Sequence, residues 1–137
     1  MASMPKFVSH PLYMVGSDAV LIGDYPSPRT YGAFPVILGQ FVREEGWVGL
    51  ADAIRKMTSF PAQRLGLPDR GLLRDGFKAD VVVFDPQTVK APATRREPKQ
   101  FPIGIEHVLV NGRVVVDGGH HTGVLAGRAL RRGRAAT

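Results

Sequence analysis

Two short stretches carry side chains whose types and positions suit chemistry. In "GSDA" Asp18 follows an apolar run, and in "SPRTYG" Arg29 sits in a loop stiffened by Pro26 and Pro28. A carboxylate at the end of a strand is a proton donor and acceptor when it faces a site. A Ser-Asp pair equally caps a turn with its own side chains, and local sequence alone favours the cap. Arg29 by itself reads equally well as a solvated loop arginine or a binding group. His10, His107, His120 and His121 invite a metal reading. None has the spacing of a zinc motif, and the adjacent His120 and His121 follow Gly118-Gly119 in a turn, where their side chains diverge. The histidines are therefore read as structural or solvated. "GLPDRG" lacks the Lys-Ser/Thr of a phosphate loop, and Asp80 is expected to be a strand-edge or turn partner.

The elements that must hold these residues fall into two parts. Leu12–Val15 reads as a short buried strand broken by Gly16-Ser17-Asp18. Residues 19–35 read as loop because Gly23, Pro26, Pro28, Gly32 and Pro35 oppose a sustained helix or ladder. "VILGQFVREE" places Val36, Ile37, Phe41 and Val42 on one helical face with Gly46 beyond its end. "GLADAIRKMT" repeats that pattern with Leu50, Ile54 and Met57. "SFPAQRLGL" predicts a helical turn with Ser59 as cap, Pro61 in the first turn and Gly66 as terminator. The second part is β. Leu72-Leu73, a turn at Asp75-Gly76 and a strand over residues 79–84 precede a polar linker over 87–102. "IEHVLVNGRVVVDGG" then predicts a hairpin, since Asn111-Gly112 accepts the positive φ angles of a type I′ turn. A lone strand at 12–15 needs partners that the rest of the chain does not supply.

Composition narrows the classes. With 137 residues and 44% hydrophobic content the chain can form a packed core, which argues against global disorder. The 18 Lys+Arg against 12 Asp+Glu give +6, but the excess gathers in "GRALRRGRAAT", at Arg128, Arg131, Arg132 and Arg134. No aromatic residues interleave there for base stacking, so a solvated basic tail is expected and a nucleic-acid partner is not. The absence of cysteine removes disulfides and thiolate metal sites. No secretory leader or membrane-length apolar run is present, and a cytoplasmic setting without membrane attachment is expected.

The ordered set "GSDA", "SPRTYGAFPVILGQFVRE", "AIRKMTSFPAQRLGLPDRGLLRDGFKADVVVFDP", "GIEHVLVNGRVVVDGG" and "HTGVLAGRALRR" resembles the C-terminal part of the N-acyl-D-amino-acid deacylase (D-aminoacylase) family of metal-dependent amidohydrolases. The likeness spans about Met14 to Arg132. It implies an α+β chain: residues 1–70 as the end of a β/α barrel, with its last strand, a loop and helices, and 71–137 as the C-terminal β-sandwich portion with the basic tail. A complete barrel needs about 250 residues, so the chain reads as a segment of a longer enzyme.

The resemblance also assigns roles. Asp18 matches the family's catalytic aspartate, which shuttles a proton between attacking water and leaving amine and touches or approaches zinc. Ala19 departs from the glycine usual after that aspartate, which restricts φ there and bears on the carboxylate's placement. Arg29 matches the arginine that grips the α-carboxylate of the N-acyl amino acid, a task suited to a planar two-point donor. Zinc is implied for the intact enzyme, with none held by this chain alone, because the early barrel histidines have no counterparts here. The expected activity is hydrolysis of the amide of an N-acyl-D-amino acid, absent from the isolated segment. The rival reading is a non-catalytic β module binding a partner chain through unpaired strands. Because the strands that would pair with this segment in the family are missing here, a homo-oligomer is expected, whereas a well-folded monomer would favour the stand-alone module.

Overall fold

A computed structural model describes residues 3–130. Arg131, Arg132 and Arg134 of the basic tail lie outside them. The elements run α1 (Met4–Ser9), α2 (Arg29–Val36), a π-helical segment (Ile37–Glu44), α3 (Leu50–Met57), α4 (Ser59–Leu65), β1 (Val81–Phe84), β2 (Ile105–Val110), β3 (Arg113–Asp117) and β4 (His120–His121). The expectation of helices followed by β structure holds. Contacts divide the chain into two compact units, one of residues up to Met57 with Asp85–Gly104, the other of Thr58–Phe84 with the residues from Ile105 onward.

In the first unit the core is built by Val8, Ile37, Val48 and Ala53, with Met4, Tyr13, Val15, Phe41, Val42, Trp47 and Met57 packed around them. Phe41 and Trp47 stack with ring centroids 4.6 Å apart. Helix α2 passes into the π segment without a break, Ile37 keeping right-handed helical angles. Pro35 lies inside α2 and has no N–H to donate. The helix widens to i→i+5 bonding directly beyond it, and the segment closes with Glu45 N–H donating to Gln40 O at 2.8 Å.

Three local expectations are corrected here. Leu12–Val15 is not a strand: Leu12 lies in a turn, and the following residues are extended without a ladder. Val15 N–H finds its acceptor at the end of α3 instead, on Lys56 O at 3.1 Å, because no neighbouring strand is available. The expected loop over 19–35 gives way to helix at Arg29. Pro28 occupies the N-cap position of α2, where its fixed φ and missing N–H cost nothing. Thr58, not Ser59, is the N-cap of α4, whereas Gly66 ends that helix in the left-handed conformation as expected, at φ 69°. Helix α1 has no counterpart in the expected elements.

In the second unit a four-stranded antiparallel sheet has the order β1-β2-β3-β4. Val81 opposes Leu109 and Val83 opposes His107, while Val110 opposes Arg113 across the turn. That turn has Asn111 at φ 50° and Gly112 at φ 77°, the pair of positive angles that defines type I′ and continues the twist of the flanking strands. β4, which opposes Val116 and Asp117, stands where the turn at His120-His121 was expected. Leu72-Leu73 lies outside the sheet. The described residues form one sheet, not two packed sheets.

Candidate active site

Asp18 and Arg29 come together. Arg29 Nη2 donates to Asp18 Oδ2 at 2.7 Å, and Arg29 Nε donates to the backbone carbonyl of the same residue at 3.2 Å. Arg29 is the first residue of α2, so the helix fixes its backbone. Asp18 hangs from the extended segment whose anchor is the Val15–Lys56 hydrogen bond. Lys56 is itself buried, its Nζ shared between Val8 O at 2.8 Å and Asp52 Oδ2 at 2.7 Å. One buried lysine therefore ties together α1, α3 and the approach to Asp18.

The unusual backbone falls on Asp18 itself, at φ 46°, and not on Ala19. Aspartate is among the few side chains that tolerate this left-handed region, so alanine in the next position demands no glycine-like angle. Both side chains of the pair face solvent, 53% exposed for Arg29 and 80% for Asp18. An ion pair so exposed contributes little to stability. Its partners are thus inexpensive to separate and open to exchange with an incoming anion. Val20, Leu21, Ile22 and Tyr25 follow Asp18 with their apolar surfaces exposed, a feature that the reading of this stretch as plain loop did not reveal.

Three of the histidines make local contacts. His10 Nδ1 accepts from Leu12 N–H at 3.2 Å, and His121 Nδ1 accepts from Gly123 N–H at 2.9 Å. His107 Nδ1 pairs with Asp117 Oδ1 across β2 and β3 at 3.0 Å. Asp80 is a turn partner as expected, accepting from Asn111 N–H and from Arg70. Among the described residues no group of three or more His, Cys, Asp or Glu side chains could hold a metal ion. Asp18 offers a single carboxylate.

The profile described as "Amidohydrolase family" matches residues 6–116. The chain belongs to the amidohydrolase family. Its relatives place it with the N-acyl-D-amino-acid deacylases: it is 43% identical over 134 residues to the N-acyl-D-aspartate deacylase of Alcaligenes xylosoxydans xylosoxydans, covering 98% of this chain and 27% of that protein. The crystal structure of a D-aminoacylase superposes with a TM-score of 0.90 at 40% identity, over 93% of this chain and 27% of that one. An N-acyl-D-glutamate deacylase from Bordetella bronchiseptica, crystallised with zinc and a phosphonate mimic of the tetrahedral intermediate, superposes at 0.79 with 45% identity, over 81% and 23%. The chain thus spans about a quarter of the length of the relatives it matches.

Proposed function

We propose that this chain supplies the proton-transfer carboxylate and the carboxylate-binding arginine of a hydrolase that cleaves the amide bond of N-acyl-D-amino acids. The observation that carries the reading is the 2.7 Å pairing of Asp18 with Arg29, in a chain whose relatives are named for that activity. Arg29 presents a planar, permanently charged fork to the α-carboxylate of the substrate. When that carboxylate takes over the guanidinium, Asp18 is released toward the neighbouring amide. There it accepts a proton from the attacking water and returns one to the departing amine nitrogen. Both jobs belong to one group because the proton taken in the first half is the one needed in the second.

In this reading residues 1–70 are the end of a β/α barrel and 71–137 a portion of a β-sandwich. Zinc, which the Bordetella relative holds, belongs to the complete enzyme. Its ligands lie chiefly outside this chain. The reading is tested in the complete enzyme by kinetics of two variants. Asp18→Asn is expected to lower turnover by about 10²–10⁴-fold with substrate binding largely retained. Arg29→Lys is expected to weaken binding about tenfold by losing the two-point grip. Unchanged affinity for the amino-acid product in Arg29→Lys would refute the carboxylate role, and unchanged turnover in Asp18→Asn the proton-transfer role.

A further inference from the structure

Asn-Gly is the dipeptide at which backbone nitrogen most readily attacks an asparagine side chain, because glycine leaves that nitrogen unhindered and the chain free to adopt the required angles. In Asn111-Gly112 both reacting groups are occupied. Gly112 N–H donates to Ala79 O at 2.9 Å. Asn111 Nδ2 donates to Ala126 O at 2.7 Å, and its Oδ1 accepts from Arg70 Nη2 at 2.6 Å. Asn111 N–H donates to Asp80 Oδ1 at 2.8 Å, and Arg70 Nη1 pairs with Asp80 Oδ2. Arg70 is buried, 8% exposed, so water competes poorly for the bonds it makes to Asn111 and Asp80.

We propose that Asn111 is a latent deamidation site, held shut by Arg70, Asp80 and Ala79, whose modification frees the segment after β4 from the hairpin turn. In the open state Gly112 N bonds to Asn111 Cγ while the Cγ–Nδ2 bond breaks. Nδ2 leaves as ammonia, taking the proton of the Gly112 amide, and a succinimide remains. Water then opens either imide carbonyl, leaving aspartate or isoaspartate. The product carboxylate has no N–H for Ala126 O and repels it, so the side-chain bond from Asn111 to that segment is lost.

The test is peptide-mapping mass spectrometry of the full chain incubated in mildly alkaline buffer, beside a synthetic peptide of residues 107–116. Deamidation at Asn111 in the folded chain is expected to be at least about tenfold slower than in the peptide, since local opening must come first. Equal rates overturn the proposal. Asp80→Asn and Arg70→Lys, each checked for folding by circular dichroism, are expected to raise the rate several-fold. Folded variants with the parent rate overturn the clamp, and if a variant unfolds, the comparison of parent chain with peptide still decides. Asn111→Asp is expected to speed tryptic cleavage after Arg128, and an unchanged cleavage rate would overturn the release of the segment.

Discussion

Arg29 holds Asp18 by two atoms at once, Nη2 on the carboxylate and Nε on the backbone carbonyl, across a separation of eleven residues. The second bond matters because it ties the guanidinium to the main chain, where it survives rotation of the Asp18 side chain. Arg29 is thereby positioned even when its carboxylate partner leaves.

The first prediction follows from what surrounds that pair. Asp18 is a single carboxylate already engaged by Arg29, and no cluster of metal-ligating side chains accompanies it among the described residues. The isolated chain with added zinc is expected to show no deacylase turnover on N-acyl-D-amino acids above a buffer control. Zinc-dependent turnover lost in Asp18→Asn would show that one segment carries a sufficient site.

Much of this was legible in the residues, for identifiable reasons. Asn111-Gly112 announces its turn because few other dipeptides accept two successive positive φ angles, and Gly66 announces the end of α4 for the same steric reason. The boundaries at Arg29 and Leu12 were not legible. Proline opposes helix interiors yet favours helix starts, and nothing local to Pro26, Pro28 or Pro35 says which sense applies. Leu12–Val15 has a strand's composition, but strand pairing needs partners at a distance, and here Val15 bonds to Lys56 O instead. The meeting of Asp18 with Arg29 follows from where α2 begins, which local sequence does not specify.

Lys56 offers a stability test. Its buried Nζ satisfies Val8 O and reaches Asp52. Lys56→Met keeps most of the apolar stem but leaves the Val8 carbonyl without its donor. Urea unfolding is expected to show a loss of about 1–3 kcal/mol. No loss would mean that water reaches that carbonyl.

Gly39 tests close packing. A Cβ built there would lie 2.5 Å from Val89 O, and Arg43 Nη1 holds the same carbonyl at 2.7 Å from the next turn of the helix. Val89 is fully buried, so the segment has little room to withdraw. Gly39→Ala is expected to destabilise the chain by about 1–3 kcal/mol, measured as a shift in the urea midpoint. Gly46→Ala is not an equivalent control, because Gly46 has φ 64° and would add backbone strain. Gly127, with open space where a Cβ would go, supplies one, and Gly127→Ala is expected to be nearly neutral.

Acid sensitivity is the next expectation. The Lys56 ammonium is the chief cause holding the Asp52 carboxyl below its ordinary value of 3.8, with Arg55 assisting. Asp85 is held below the same value first by the Gln87 N–H and then by the Thr88 hydroxyl. Each carboxylate binds its proton less readily folded than unfolded. Their contribution to stability is therefore fully present above 3.8 and fades as pH falls through the folded values beneath it. Denaturant midpoints taken between about pH 5 and pH 2.5 should fall across that window. Asp85→Asn should remove part of the fall, and an unchanged acid profile in that variant would show that Asp85 does not contribute.

The last expectation concerns association. β1 lies at the edge of the sheet, with β2 on one side only, and its central residues Val82 and Val83 are 52% and 46% exposed. An apolar edge strand of this kind presents unpaired backbone groups together with side chains that gain by leaving water. Neither a charge nor a proline interrupts the run from Val81 to Phe84, so the edge is guarded only by its shortness and by the irregularity between Val83 and Phe84. A homodimer joined along β1 is the expected state at high concentration, and light scattering over a dilution series measures it. Val83→Lys places a charge on the edge and should shift the equilibrium to monomer without unfolding the sheet. A chain that stays monomeric throughout would show that β1 is covered by other means and would remove the case for a homo-oligomer.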